Sequence, residues 1–130
     1  MAKTEAKTST KKKSPRLPAQ VELAIAAADD KQAVNVVVLD LRKSAGFTDF
    51  FVIASGTNTR QVRAIADAVR KALADKGAKP AYVEGYDHSE WILLDYFDFI
   101  VHVFGSETRV FYDLERLWGN ADRFEVAAER

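Results

Sequence analysis

Between Pro80 and Thr108 the chain carries six carboxylates (Glu84, Asp87, Glu90, Asp95, Asp98 and Glu107) and no Lys or Arg. Paired carboxylates do phosphoryl-transfer chemistry when they project side by side from one strand, two positions apart, and clamp divalent ions. Asp95 and Asp98 are three apart and straddle a turn, which disfavours that use. His102 falls on the alternation Asp98, Ile100, His102, Phe104, opposite the apolar series Phe97, Phe99, Val101, Val103. Near an acid such a histidine could be a base, but a partly buried ring satisfied by one hydrogen bond is the expected role. The other histidine, His88, lies in a turn, and no serine sits in a nucleophile-elbow sequence, so a Ser-His-Asp arrangement has little support. Ser55-Gly56 stands where a strand turns into a helix, a place where backbone N–H groups can approach an anion. The loop is not Gly-x-Gly-x-x-Gly and does not end in Gly-Lys-Ser/Thr, so a plain tight turn is expected, with Arg60 solvated nearby.

Aromatics crowd the same acidic stretch: Tyr82, Tyr86, Trp91, Tyr96, Phe97, Phe99 and Phe104, then Phe111, Tyr112 and Trp118. Many must be core. Trp91 alternates with Leu93 and Asp95, so wherever Asp95 meets solvent Trp91 shares that side. Trp and Tyr among carboxylates fit a protein-docking surface better than a nucleic-acid platform, which sets aromatics among Lys and Arg. The residues expected to bind a partner are Glu84, Tyr86, Trp91, Asp95, Asp98 and His102, with Trp91 as the anchor. No catalytic residue, metal or cofactor is expected.

The elements that must position these residues follow from hydrophobic spacing. Pro18 suits a first helical turn, and Val21, Ile25 and Ala28 predict a short helix ending near Asp29 to Lys31. Ala33 to Asp40 is a β-branched run and reads as a buried strand; Leu41 to Asp49 is a connector, and Phe50 to Ser55 a second buried strand. Val62, Ile65, Ala66, Val69, Ala72 and Leu73 form one apolar helical face, capped by Thr57 or Asn58 and stopped by Gly77. Strands follow at Ala81 to Glu84, Trp91 to Asp95 and Phe97 to Phe104, the last two as a hairpin or meander. A final helix spans about Glu107 to Trp118, and Asn120 to Arg130 is peripheral. The order α-β-β-α-β-β-β-α predicts an α/β (α+β) fold: a mixed five-stranded sheet with helices packed on it, including a right-handed crossover between parallel strands.

Length and composition bound the rest. The 130 residues make one domain, and 48% apolar with 29% charged residues is a globular profile. Cysteine is absent, which removes disulfides, thiolate zinc sites and thiol nucleophiles and fits a reducing compartment. No apolar run approaches the ~20 residues of a membrane helix. The net charge of zero hides a split, because residues 1–16 carry six cations against Glu5, leaving the remainder at −5. That opening segment has no large apolar residue after Met1 and is expected to be a disordered basic arm that touches RNA nonspecifically. The domain proper is expected over residues 17–122, followed by a tail over 123–130.

Phe47-Thr48-Asp49-Phe50-Phe51-Val52-Ile53-Ala54-Ser55-Gly56, followed by Arg60-Gln61, resembles the signature of the ribosomal silencing factor family, also called Iojap-like. So do Glu84-Gly85, Trp91, Leu94-Asp95-Tyr96, Val101-His102-Val103-Phe104 and the run from Phe111 to Trp118. The likeness spans about Val21 to Asp122. It departs at Phe50, where Tyr is frequent, at Phe97, where Gly commonly follows Asp-Tyr, and at Asn120, where Asp is frequent. The resemblance implies a nucleotidyltransferase-like fold without its catalytic residues. It also implies a cytoplasmic factor that binds the large ribosomal subunit through its universal protein fourteen, blocks joining of the small subunit and represses translation under nutrient limitation. Family members are often homodimers. The alternative from another class is a nucleotide-using enzyme of the nucleotidyltransferase kind.

Overall fold

The valine run of the first strand and the apolar run from Phe50 to Ala54 lie side by side at the centre of one sheet, because both their faces must be covered. In the computed structural model, which describes residues 17–126, the order is α1 (Ala19–Asp30), β1 (Val34–Asp40), β2 (Phe50–Gly56), α2 (Thr59–Ala74), β3 (Tyr82–Glu84), β4 (Trp91–Asp95), β5 (Phe99–Gly105), α3 (Ser106–Tyr112), α4 (Leu114–Leu117) and β6 (Asp122–Glu125). The strands form a single sheet in the order β3-β4-β5-β2-β1-β6. β2 and β5 pair in parallel from Phe50↔Phe99 to Gly56↔Gly105, and every other neighbouring pair is antiparallel. All seven residues of β2 are buried, as its position between two other strands requires.

Helices α1 and α2 cover one face. Val62, Ile65, Ala66, Val69 and Leu73 of α2 pack with Val21, Ala24 and Ala28 of α1 over Val38, Val52, Val101 and Leu94 of the sheet. Asn58 caps α2, its side-chain oxygen accepting from the Gln61 N–H at 2.8 Å. A Cβ on Gly56 would lie 2.9 Å from the Val62 nitrogen, so glycine is what lets β2 run straight into that helix. The opposite face carries a smaller core of Val37, Leu39, Phe51, Ile53, Ile100 and Phe104, over which Leu114, Trp118 and Ala45 pack.

The mixed sheet with packed helices is as expected, and four details differ. The sheet has six strands, since residues 122–125 of the expected periphery pair with β1 from Val37↔Glu125 to Asp40↔Asp122. A short polar strand of this kind, DRFE, lacks the apolar alternation that marks a strand in sequence. The last helix is two, broken at Asp113, whose φ of 50° is left-handed. The parallel partner of β2 is β5, with β3 and β4 inserted as a meander that ends at the sheet edge. Phe97 belongs to the turn before β5, with φ 71°, and is exposed. The Asp95 carboxylate accepts the Phe97 N–H at 2.8 Å and the Thr48 hydroxyl donates to its carbonyl at 2.7 Å, which hold that conformation in place. The expected basic arm, Met1 to Arg16, and residues 127–130 of the tail lie outside the described residues.

Candidate functional site

The face of the sheet away from α1 and α2 is only half covered. Register defines it as a grid: Tyr82 and Glu84 of β3 lie opposite Asp95 and Leu93 of β4, and Trp91, Leu93 and Asp95 lie opposite Phe104, His102 and Ile100 of β5. Alternation places Ile92 and Leu94 in the core beneath and leaves Trp91, Leu93 and Asp95 half-buried on the open side. Helices α3 and α4 cover this face over β5, β2 and β1 and stop at Trp91, against which Tyr112 packs with ring centroids 4.7 Å apart.

An ion pair fixes those two helices. The largely buried Arg109 donates to both oxygens of Glu115 (3.1 and 2.9 Å) and to the Ser55 hydroxyl at 2.9 Å, tying α3, α4 and the end of β2 together. This Arg109 pairing holds the Glu115 carboxyl below the usual glutamate range. Arg123 of β6 adds a second cation to the same carboxylate at 3.4 Å.

Trp91 sits at the junction. Its indole stacks on Phe104 with centroids 4.8 Å apart, and its Nε1–H donates to His102 Nδ1 at 3.1 Å. His102 is buried, and desolvation pushes its pKa down to about 3, so the ring is neutral at any physiological pH. Because Nδ1 accepts, the ring proton resides on Nε2, which has no hydrogen-bond partner among the described residues. Phe51 meets the same imidazole edge to face at 4.4 Å, and Trp118 and Phe47 continue the aromatic series at 6.1 and 5.9 Å. The expected partly buried histidine satisfied by one hydrogen bond is instead fully buried: it accepts from Trp91 at Nδ1, but its Nε2–H is left unsatisfied among the described residues.

The six expected partner-binding residues do not all converge. Glu84, Trp91 and Asp95 line one concavity of about 540 Å³ with Tyr82, Gly85 and Leu93, and His102 supports it from beneath Trp91. Tyr86 points to the other side of the sheet, where its hydroxyl donates to Asp67 of α2 at 3.2 Å and Arg63 stacks over its ring. Gly85, with φ 80°, turns the chain between the two sides just after the strand ends at Glu84. Asp98 lies beyond the hairpin turn, beside Pro18, Asp49 and Phe50, and its carbonyl accepts from the Asp49 N–H. The Ser55-Gly56 turn is occupied by internal bonds: Gln61 accepts from Thr57 and its side-chain amide donates to the Lys31 and Gln32 carbonyls. Among the described residues no cluster of acids and histidines could hold a metal ion, and no helix is long and apolar enough to cross a membrane.

The helical border of this face is more exposed than the sequence expectation of a single packed helix over Glu107 to Trp118 implies. Phe111 is 79% exposed, Tyr112 51% and Leu117 71%, with Tyr82 at 62% on the far side. A signal existed: Val110-Phe111-Tyr112 are consecutive, and one helix face cannot bury three successive side chains.

The chain matches the family model described as "Ribosomal silencing factor during starvation" over residues 14–130. It is 40% identical over 106 residues to the ribosomal silencing factor RsfS of Halalkalibacterium halodurans, covering 82% of this chain and 91% of that one. It is 29% identical over 101 residues to the mouse protein named for mitochondrial assembly of the ribosomal large subunit, covering 75% of this chain and 44% of that longer one. A crystal structure of a Chromobacterium violaceum protein superposes with a TM-score of 0.76 at 33% identity, covering 85% of this chain and 93% of that one.

Proposed function

The chain belongs to the ribosomal silencing factor family, and from that membership we propose that it is a translation repressor that works by occupying the large ribosomal subunit. The observation that carries the docking site is the half-covered sheet face: exposed Tyr82, Phe111 and Tyr112 surround half-buried Trp91, and residues 80–108, which supply Tyr82 and Trp91, carry six carboxylates and no Lys or Arg. Aromatic side chains around a rigid centre are the usual energetic heart of a protein interface. The acidic surround selects a basic protein and disfavours bare RNA phosphate. The partner proposed is the universal large-subunit protein fourteen, and the consequence is steric exclusion of the small subunit from the same face of the ribosome.

No chemistry is required for this role. The turn that would hold a nucleotide has its donors engaged by Gln61, and the acids at 95 and 98 face different neighbours. In the free protein a second copy of the chain would cover the same apolar residues, and dimer and ribosome complex would then compete.

The test is co-sedimentation of the full chain with purified subunits. Wild type is expected with large subunits and not with small ones, and Tyr112→Ala, at an exposed position, is expected to bind at least tenfold more weakly while remaining folded. Equal binding to both subunits would overturn the proposal.

A further inference from the structure

We propose that the concavity between β3 and β4 is a receptor for one arginine side chain of the protein partner, an assignment that rests on the docking reading above. Its walls are Tyr82, Glu84, Gly85, Trp91, Leu93 and Asp95. Register sets the pattern: Glu84 faces Leu93, and Tyr82 faces Asp95. The two carboxylates are therefore diagonal neighbours, about 7–8 Å apart at the backbone, with an apolar leucine between them and an aromatic ring at either end.

The hydrogen-bonding inventory is one-sided. The Trp91 N–H is engaged by His102, so the indole brings only ring surface to the concavity. Asp95 uses one carboxylate oxygen on the Phe97 N–H and keeps the other, and Glu84 is exposed. Neither acid joins an ion pair among the described residues. The Tyr82 hydroxyl is then the one side-chain donor facing several free acceptors. A ligand that fits must offer donors and no acceptors, carry positive charge, and have a flat apolar face to lie on aromatic rings. Guanidinium meets all three conditions. An ammonium group is a compact, strongly hydrated charge that meets the first two but not the third. An anion is repelled by both acids.

Two measurements on the full chain test the assignment. The protein holds two tryptophans, Trp91 and Trp118, so nitrogen-15 labelling gives two indole signals, assigned with Trp118→Phe. Titration with acetyl-Gly-Arg-Gly-amide should shift the Trp91 indole and not that of Trp118. The same peptide with lysine should shift it less, and with norleucine hardly at all. The double variant Glu84→Gln, Asp95→Asn keeps an amide oxygen for the Phe97 N–H and should abolish the arginine response. In large-subunit binding this double variant should be weaker than wild type by at least about tenfold. Norleucine shifts equal to those of arginine would overturn the proposal, as would wild-type subunit binding by the double variant. If wild type shows the arginine response but binds no large subunit, the pocket stands and the docking reading fails.

Discussion

At the scale of single residues, His102 joins the open face to the stability of the fold. Its pKa falls to about 3 because the ring is buried among Phe51, Trp91 and Phe104, whereas in the unfolded chain it titrates near 6.5. Above that ordinary value both states are neutral and nothing depends on pH. Below it the unfolded chain takes up a proton that the native state refuses, so stability falls as the solution is acidified from about 6.5 towards 3. The slope approaches about 1.4 kcal/mol for each pH unit. Glu115 adds its own loss lower down: Arg109 depresses its pKa, so its contribution is complete above the ordinary glutamate value and lost as pH drops through the folded one. The window between about pH 6.5 and 5 therefore isolates His102. Urea unfolding of wild type should weaken across that window, and His102→Asn, whose amide oxygen can still accept the Trp91 N–H, should remove that residue's share of the weakening. A variant with the same slope as wild type would show that the imidazole is not buried neutral.

At the scale of elements, two turns set the shape of the β3-β4-β5 meander, and they make opposite predictions. Phe97 holds a left-handed backbone with an exposed side chain. A side chain in that region costs on the order of 1 kcal/mol, so Phe97→Gly should raise stability slightly, by up to about 1 kcal/mol in chemical denaturation. Gly85 is the reverse case: its φ is 80°, and a Cβ would press into the Trp91 carbonyl oxygen. Gly85→Ala should therefore destabilise by more than about 2 kcal/mol and displace Trp91, read as loss of stability together with a moved indole signal. These turns also explain how much was legible in the sequence. β1, β2 and β5 were readable as apolar runs that must be covered on both faces, α2 by its helical stripe, for which Val62 to Leu73 leave no other choice, and β4 by its alternation. Glu84, Trp91 and Asp95 came together for the same reason. Tyr86 and Asp98 did not, because each lies just past a residue with positive φ, where alternation no longer says which way a side chain points. β6 was hidden because it is short and polar and is specified by pairing with β1.

At the scale of the whole molecule, the proposed repression depends on bulk. A chain of the 110 residues described has a radius of gyration of roughly 13 Å, and the proposed block requires that one bound copy of that size overlap the small subunit. A blocker of this kind is consumed one for one, whereas an enzyme that modified the subunit would act repeatedly. Charge separates a second effect. On the proposed reading, the six cations of residues 1–16 would give sequence-independent attraction to RNA that salt weakens steeply, while the net-negative remainder would be repelled by the same phosphates. Light scattering of subunit association, titrated with the protein at near-physiological salt, should therefore reach its plateau at one chain per large subunit. Removing residues 1–16 should lower binding that is lost between about 50 and 200 mM salt, but leave the stoichiometric block in place. Inhibition at a small fraction of one chain per subunit, growing with time, would instead favour catalysis and sink the occupancy mechanism. Loss of the block on removal of the arm would move the docking energy from the aromatic sheet face to the basic segment.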